Sequence, residues 1–258
     1  MAEISMRGTA VIDLRQGDCI EIMRTIPDGS IDCVLTDPPY GTTACKWDSV
    51  IPLEPMWEQL NRIIKPNGAI VLFGSEPFSS ALRMSNIKNY KYDWVWNKVN
   101  RFTGALNSSF MPMKSHENLI VFVNKGKPTF NKQLGDGAPY VSKQTKGHGM
   151  FTEYGNSKSH TTINKGGRNP CSIISIKADN KKESGLHPTQ KPVALMEYLI
   201  KTYTNEGETV LDFTMGSGTT GVACVQEGRA FIGIERDDGY FKAAQERITR
   251  AARQGSMF

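Results

Sequence analysis

Apolar residues fall into two regions of short runs, each punctuated by turn residues. In the first region, Ala10–Leu14 and Ile31–Thr36 read as strands, and Asp18–Ile26 between them reads as a short helix closed by Pro27-Asp28-Gly29. Met56, Trp57, Leu60, Ile63 and Ile64 recur at helical spacing and predict a helix over Glu54–Lys65, ended by Pro66-Asn67-Gly68. Ala69–Phe73, Tyr92–Trp96 and Asn118–Val123 read as further strands, with a helix at Phe78–Ile87. In the second region the pattern predicts a helix at Pro192–Tyr203 with proline at its first position, and a strand at Thr209–Phe213. A glycine loop at Met215–Thr220 follows, then a helix over Thr220–Gln226 that Gly228 can cap. A strand at Ala230–Glu235 and a helix at Gly239–Arg250 complete the set. Strands alternating with helices predict an α/β fold whose sheet is mostly parallel.

The segment between the two regions differs in kind. Lys125–Lys182 carries eleven Lys/Arg against three Asp/Glu, a balance of +8. The chain as a whole stands at +5, so the remainder is 5 − 8 = −3. A basic stretch on a near-neutral body suits a polyanion partner, and a solvated surface loop accounts for it equally. The chain has 258 residues, enough for one large domain or for one domain with a long insertion. No apolar run approaches a membrane span, and Met1–Gly8 lacks the apolar centre of a signal peptide. The five cysteines include no Cys-x-x-Cys pair, which favours neither a disulfide framework nor a zinc site. The expectation is therefore a cytoplasmic protein with no metal and no membrane partner.

Two motifs carry candidate chemistry. Gly216, Gly218 and Gly221 satisfy Gly-x-Gly-x-x-Gly in a strand-to-helix loop, and Glu235 ends the next strand 19 residues after Gly216. Glycine lets the backbone approach a ligand, helix amides face into such a loop, and an acid at that strand end can accept from ribose hydroxyls. The pattern points to a nucleoside-bearing cofactor, with a loop that needs glycine only for packing as the alternative. The second motif is Asp37-Pro38-Pro39-Tyr40, placed where open α/β sheets bind ligands, just beyond a strand's carboxyl end. An ionised Asp37 offers only acceptors, the prolines fix the backbone, and Tyr40 offers an aromatic face. A nucleobase amine needs this set, because its lone pair is delocalised until acceptors reorient the nitrogen. A plain strand-end turn explains the tetrapeptide equally well.

Taken together, Asp37-Pro38-Pro39-Tyr40 and the later Phe213-x-x-Gly216-x-Gly218 resemble the amino-methyltransferases of DNA, over nearly the whole chain. The motif order is that of the family's β group. The resemblance implies a Rossmann-like, mostly parallel twisted sheet with helices on both faces, a permuted motif order and an inserted basic target-recognition region. The corresponding division is 1–124 for the catalytic half, 125–186 for the insert and 187–258 for the cofactor half. It implies S-adenosyl-L-methionine as cofactor, double-stranded DNA as substrate and no metal, and it leaves a homodimer open. Asp37, Pro38, Pro39 and Tyr40 are the implied catalytic residues. The implied cofactor-binding residues are Asp18 and Cys19, His187 and Lys191, Asp212 and Phe213, Gly216, Ser217, Gly218, Thr219, Thr220 and Glu235. Where the family has Asp-Pro-Phe before the glycines, this chain has Asp212-Phe213-Thr214-Met215.

Trp96-Asn97-Lys98 and His116-Glu117-Asn118 resemble weaker family segments lining the target pocket. A helix cap serves as well for Asp18, and a core role for Trp96. Local hydrogen bonding is the simpler reading of His116 and His187. Asn156, Arg168 and Asn169 are candidate base readers, and Phe151 and Tyr154 candidate wedges. The expected reaction is methylation of adenine N6 after base flipping, with cytosine N4 as the alternative. Rivals are an NAD-dependent oxidoreductase, a DNA-binding module without catalysis, and a methyltransferase acting on protein glutamine or RNA.

Overall fold

The structure, a computed structural model, describes residues 2–5, 11–41, 49–144, 160–179 and 190–255. Two compact units emerge, Met1–Asn131 with Ser172–Phe258, and Lys132–Cys171.

The larger unit is built on nine strands among the described residues. In chain order they are β1 Ala2–Ser5, β2 Val11–Gln16, β3 Ile31–Thr36, β4 Ile64–Gly74, β5 Tyr90–Asn97, β6 His116–Phe122, β11 Ile173–Ser175, β12 Thr209–Asp212 and β13 Ala230–Glu235. Their spatial order is β1-β2-β13-β12-β3-β4-β6-β5-β11. From β2 to β4 every pairing is parallel, whereas β1 and β6 run antiparallel to their neighbours. The mostly parallel α/β sheet expected from the alternation of elements is what the chain forms.

Alternate side chains along each central strand leave on opposite faces, as a pleated strand requires. Cys33 and Leu35, Ala69, Val71 and Phe73, and Leu119 and Val121 belong to one buried cluster. Val34, Ile70 and Leu72, and Ile120 and Phe122 belong to the other. This two-sided burial is why these strands read as continuous apolar runs. The first cluster is covered by α4 Val193–Tyr203, α5 Thr219–Gln226 and α6 Asp238–Gly255. The second is covered by α1 Cys19–Met23, α2 Leu53–Ile63 and α3 Phe78–Ser85. Helices thus lie on both faces.

Most boundaries fall within two residues of expectation, and β3 and β13 coincide with it. Pro192 stands as the N-cap of α4 rather than as its first residue. β4 begins earlier than its apolar run, at Ile64 opposite Ile31, and the register shifts before Cys33 meets Ala69. β1 and β11, absent from the sequence reading, are edge strands.

The smaller unit, Lys132–Cys171, holds two antiparallel ribbons. β7 Gly135–Asp136 pairs with β10 Gly167–Arg168, and β8 Tyr140–Gln144 pairs with β9 His160–Asn164. Arg168, a candidate reader, is engaged within this unit. Its guanidinium lies 5.0 Å from the centre of the Tyr140 ring and bonds Asn164 Oδ1 at 2.8 Å. Asn169 Oδ1 accepts from Lys132 at 3.3 Å. Asn156, Phe151 and Tyr154 lie outside the described residues.

No helix among the described residues is long and apolar enough to cross a membrane.

Candidate active site

β3 and β12 lie side by side and parallel, with Val210 opposite Cys33 and Leu211 opposite Val34. After β3 the chain crosses through α2 to β4, and after β12 it crosses through α5 to β13, on the other side. The sheet order therefore reverses at this pair, which is where open α/β sheets form their ligand crevice. The two sequence motifs leave the sheet here. Thr36 ends β3, and its Oγ1 donates to Asp212 Oδ1 and accepts from the Phe213 amide at 3.0 Å. Thr214 Oγ1 donates to the Asp37 carbonyl at 3.1 Å. The strand ends from which the acidic tetrapeptide and the glycine loop leave are joined by direct hydrogen bonds.

A cavity of about 700 Å³ opens over this junction, within the usual range for small-molecule sites. Its wall includes Asp37, Pro38, Pro39 and Tyr40 from the first motif. Asp212, Phe213, Gly216, Ser217, Thr219, Thr220 and Glu235 come from the second, and Asp18, Cys19 and Lys191 stand in the same wall. His187 lies outside the described residues.

Asp18 caps α1, its Oδ1 accepting from the Ile20 and Glu21 amides at 2.9 and 3.3 Å. The cap reading and a place in the cavity wall hold together. Glu235 Oε2 accepts from the Gly216 amide at 2.9 Å, and Oε1 from the Asp237 amide at 2.8 Å. Burial raises the Glu235 carboxyl, and these amides pull it back in part. Each carboxylate oxygen has a further lone pair, so Glu235 can hold the loop and still accept from a ligand.

The glycines divide by task. Gly216 has φ +52°, and a Cβ placed there would meet nothing within 4 Å, so it leaves room on the cavity side. Gly218 is outside the wall. Its φ is +78°, and a Cβ would come within 2.9 Å of the Ala244 Cβ on α6. Gly218 serves helix packing, which is the alternative the sequence left open for this loop. Arg247, on α6, braces the same loop by donating to the Ser217 carbonyl at 2.6 Å.

Charge is concentrated beneath the tetrapeptide. Asp37 Oδ1 accepts from the Tyr40 hydroxyl at 2.5 Å, and Oδ2 from Lys191 Nζ at 2.5 Å. The Tyr40 ring stacks on Phe78 with 5.2 Å between centres. Lys191 lies 3.1 Å from Glu117, and Glu117 lies 2.6 Å from Lys98. Burial pushes the Asp37 carboxyl up, against the pull of Lys191. Burial works the same way on Glu117, but Lys191 and Lys98 more than offset it and hold that carboxyl at about 2. Burial disfavours the Lys191 ammonium, and Asp37 and Glu117 overcome this to keep it charged. Lys191, expected at the cofactor, is thus bonded to Asp37 as well as lining the cavity. Asp212 is raised to about 6 by burial, despite the Thr220 and Thr36 hydroxyls that bond it.

Sequence reading did not single out Thr36, Thr214 or Arg247, and it named Glu117 only within a segment resembling the target-pocket lining. Thr36 carried a signal, a lone hydroxyl closing an apolar run. Trp96 is a core residue, 2% exposed, with its indole N–H on the Ile176 carbonyl at 2.8 Å. His116 opens β6 and is exposed.

The sequence profile of the N6/N4 family, described as DNA methylase, matches residues 31–246. The chain belongs to the N6/N4 DNA methylase family. Among curated members of similar sequence, YubD of Escherichia coli strain K12 is 29% identical over 252 residues, covering 93% of each chain. The type II methyltransferase M.HinfI of Haemophilus influenzae is 28% identical over 265 residues, 90% of this chain and 67% of its own length. The crystal structure of the M1.HpyAVI–SAM complex superposes with a TM-score of 0.62 at 28% identity, covering 92% of this chain and 99% of that one. The cytosine-N4-specific PvuII methyltransferase shares the fold, with a TM-score of 0.64 at 17% identity over 93% and 91% of the two chains.

Proposed function

We propose that this DNA methyltransferase transfers a methyl group from S-adenosyl-L-methionine to the N6 amine of adenine in double-stranded DNA, after the base is flipped out of the helix. The reading is carried by the position of Asp37, at the mouth of the β3–β12 crevice and hydrogen-bonded through its own carbonyl to the glycine-loop side. The donor site fits a nucleoside sulfonium. Gly216 leaves open space, Glu235 retains acceptor capacity for ribose hydroxyls, and Asp18 and Cys19 stand at the same wall. When bound, the cofactor supplies an electrophilic methyl group.

The residues of the chain prepare the amine to receive it. Asp37 accepts one N–H of the amine, and the Pro38 carbonyl, fixed by the double proline, accepts the other. These bonds turn the nitrogen toward tetrahedral geometry and aim its lone pair at the donor. As positive charge develops on that nitrogen, the Asp37 carboxylate stabilises it. Asp37 is also the nearest base for the proton the nitrogen sheds. Tyr40 offers the flipped base a stacking face and holds Asp37 through its hydroxyl. The basic segment 125–186 acts as the target-recognition region, its Lys and Arg residues neutralising phosphates.

Adenine is preferred to cytosine because the motif carries aspartate at position 37, the form the resemblance associates with adenine. Asp37→Ala is expected to abolish methyl transfer to unmethylated duplex DNA while leaving cofactor binding largely intact. Mass spectrometry of nucleosides from the methylated duplex should yield N6-methyladenine. N4-methylcytosine in its place would reassign the base, and full activity of the Asp37→Ala chain would remove Asp37 from the chemistry.

A further inference from the structure

Behind Asp37 the charged groups form a chain of contacts. Lys98 Nζ lies 2.6 Å from Glu117 Oε1, Lys191 Nζ lies 3.1 Å from Glu117 Oε2, and the same Nζ lies 2.5 Å from Asp37 Oδ2. The Lys191, Lys98 and Glu117 side chains are 7%, 9% and 14% exposed. The contacts are unequal. Lys191 donates a hydrogen bond to Asp37, whereas its approach to Glu117 lacks hydrogen-bond alignment. Among the described residues the buried Oε2 of Glu117 has no hydrogen-bond partner. Glu117 is anchored from behind by Lys98, whose ammonium in turn lies 5.4 Å from the centre of the Trp96 ring. One ammonium is therefore shared between Asp37 at the shorter distance and Glu117 at the longer one.

We propose that Glu117 is a positioning residue for amine methylation, sharing the Lys191 ammonium with Asp37 and drawing it back when the target amine arrives, so that Asp37 meets the amine with its negative charge uncovered. The proposal rests on the reading of Asp37 as the amine acceptor. A carboxylate covered by an ammonium at 2.5 Å is a weak stabiliser of a cation forming on its other side. Lysine carries three donors on one compact head, so Lys191 can shift its bond to Glu117 Oε2 from where it stands. Among the described residues, the charged and titratable groups facing Asp37 are Tyr40, Lys191, Glu117 and Asp212, with Lys98 and Lys114 beyond Glu117.

The test compares the full chain with Glu117→Gln, Glu117→Asp and Lys191→Met. Three measurements are made on each. The first is a carbon-13 carboxyl NMR titration of Asp37 without DNA, assigned by its loss in Asp37→Asn. The second is single-turnover methyl transfer to unmethylated duplex DNA across pH. The third is calorimetric binding of S-adenosyl-L-methionine. With Glu117→Gln, Lys191 closes on Asp37 alone. The Asp37 midpoint and the acid limb of the rate profile should fall by about one pH unit, as expected for a strengthened opposite charge. The rate at neutral pH should fall about tenfold or more, a loss of the size positioned groups contribute, with cofactor affinity kept within about twofold. Glu117→Asp should restore most of the rate, and Lys191→Met should move the midpoint upward. An unmoved midpoint and profile in Glu117→Gln, or shifts of the same sign in Glu117→Gln and Lys191→Met, would overturn the proposal. If Glu117→Gln fails to fold because Lys98 loses its carboxylate, Lys98→Met with Glu117→Gln replaces the pair by neutral groups and carries the same expectations. If the NMR midpoints move in opposite directions but the wild-type chain methylates no DNA amine, the functional reading falls and the sharing of Lys191 stands without it.

Discussion

Thr36 and Asp212, 176 positions apart in the chain, are joined by a buried hydrogen bond from the threonine hydroxyl to the carboxylate. The same hydroxyl accepts from the Phe213 amide at 3.0 Å, so one oxygen atom ties the end of β3 to the end of β12. The motif that would hold the amine and the loop that would hold the donor start from this tie.

Thr36→Val keeps the shape of the side chain and removes its hydroxyl. The Phe213 amide then loses its acceptor, and Asp212 keeps only the Thr220 hydroxyl and the Thr214 amide. A loss of about 1–3 kcal/mol of stability is expected, the cost of leaving buried polar groups unpaired. Both cofactor affinity and methyl-transfer rate should fall, because both motifs are released. Urea unfolding together with cofactor titration checks this, and an effect confined to one of the two functions would contradict the shared tie.

Asp212 makes stability depend on pH. Its carboxyl is raised from 3.8 to about 6, chiefly by burial. The folded state therefore holds the proton more tightly than the unfolded chain. The stability this group contributes is fully present below about 3.8 and is lost as pH rises through about 6. Asp212→Asn cannot ionise, so the stability of the wild type relative to this variant should decline by roughly 2 kcal/mol between pH 4 and pH 7. Urea midpoints of both chains at several pH values would reveal the slope, and a constant difference would refute it.

The two glycines of the loop should respond differently to alanine. At Gly216 only the backbone conformation resists, at about 1–2 kcal/mol for a left-handed alanine. The fold should survive, with the new methyl group weakening cofactor binding. At Gly218 the methyl group would also meet Ala244 Cβ at 2.9 Å and Ile248 Cδ1 at 3.0 Å. Overpacking adds about 1–3 kcal/mol to the strain. Thermal unfolding should therefore rank Gly218→Ala well below Gly216→Ala, and the reverse order would misplace the two roles.

Glu235→Ala removes the acceptor of the Gly216 amide and the acid at the cofactor wall. Cofactor affinity is expected to drop about tenfold or more, some 1.4 kcal/mol. Calorimetric binding decides it, since an unchanged affinity would leave Glu235 a purely structural acceptor.

The sheet was legible because its central strands are buried on both faces and bounded by turn residues. Ile31–Thr36 and Ala230–Glu235 are apolar runs of this kind, and their ends coincide with expectation. Edge strands lack that signature, so Ala2–Ser5 and Ile173–Ser175 were not read. Asp37, Tyr40, Gly216 and Glu235 were legible as chemistry because their spacing to strand ends is local. The ion pair from Lys191 to Asp37 spans 154 positions, and nothing in the composition near either residue announces it. Glu117 was named only within a segment of family resemblance, and its ion-pair partners stayed hidden because sheet order rather than chain neighbourhood sets them.

Among the described strands, β2 is hydrogen-bonded only to β1 and β13, and β3 only to β12 and β4. Until β12 and β13 are in place, nothing in the sheet connects the amino-terminal ribbon to β3 and β4. During synthesis, then, the growing polypeptide carries the acid of Asp37 long before any partner strand can complete the crevice, and closure of the sheet waits on contacts of very long sequence separation, which form slowly. Catalytic competence therefore waits on the pairing of β12 and β13.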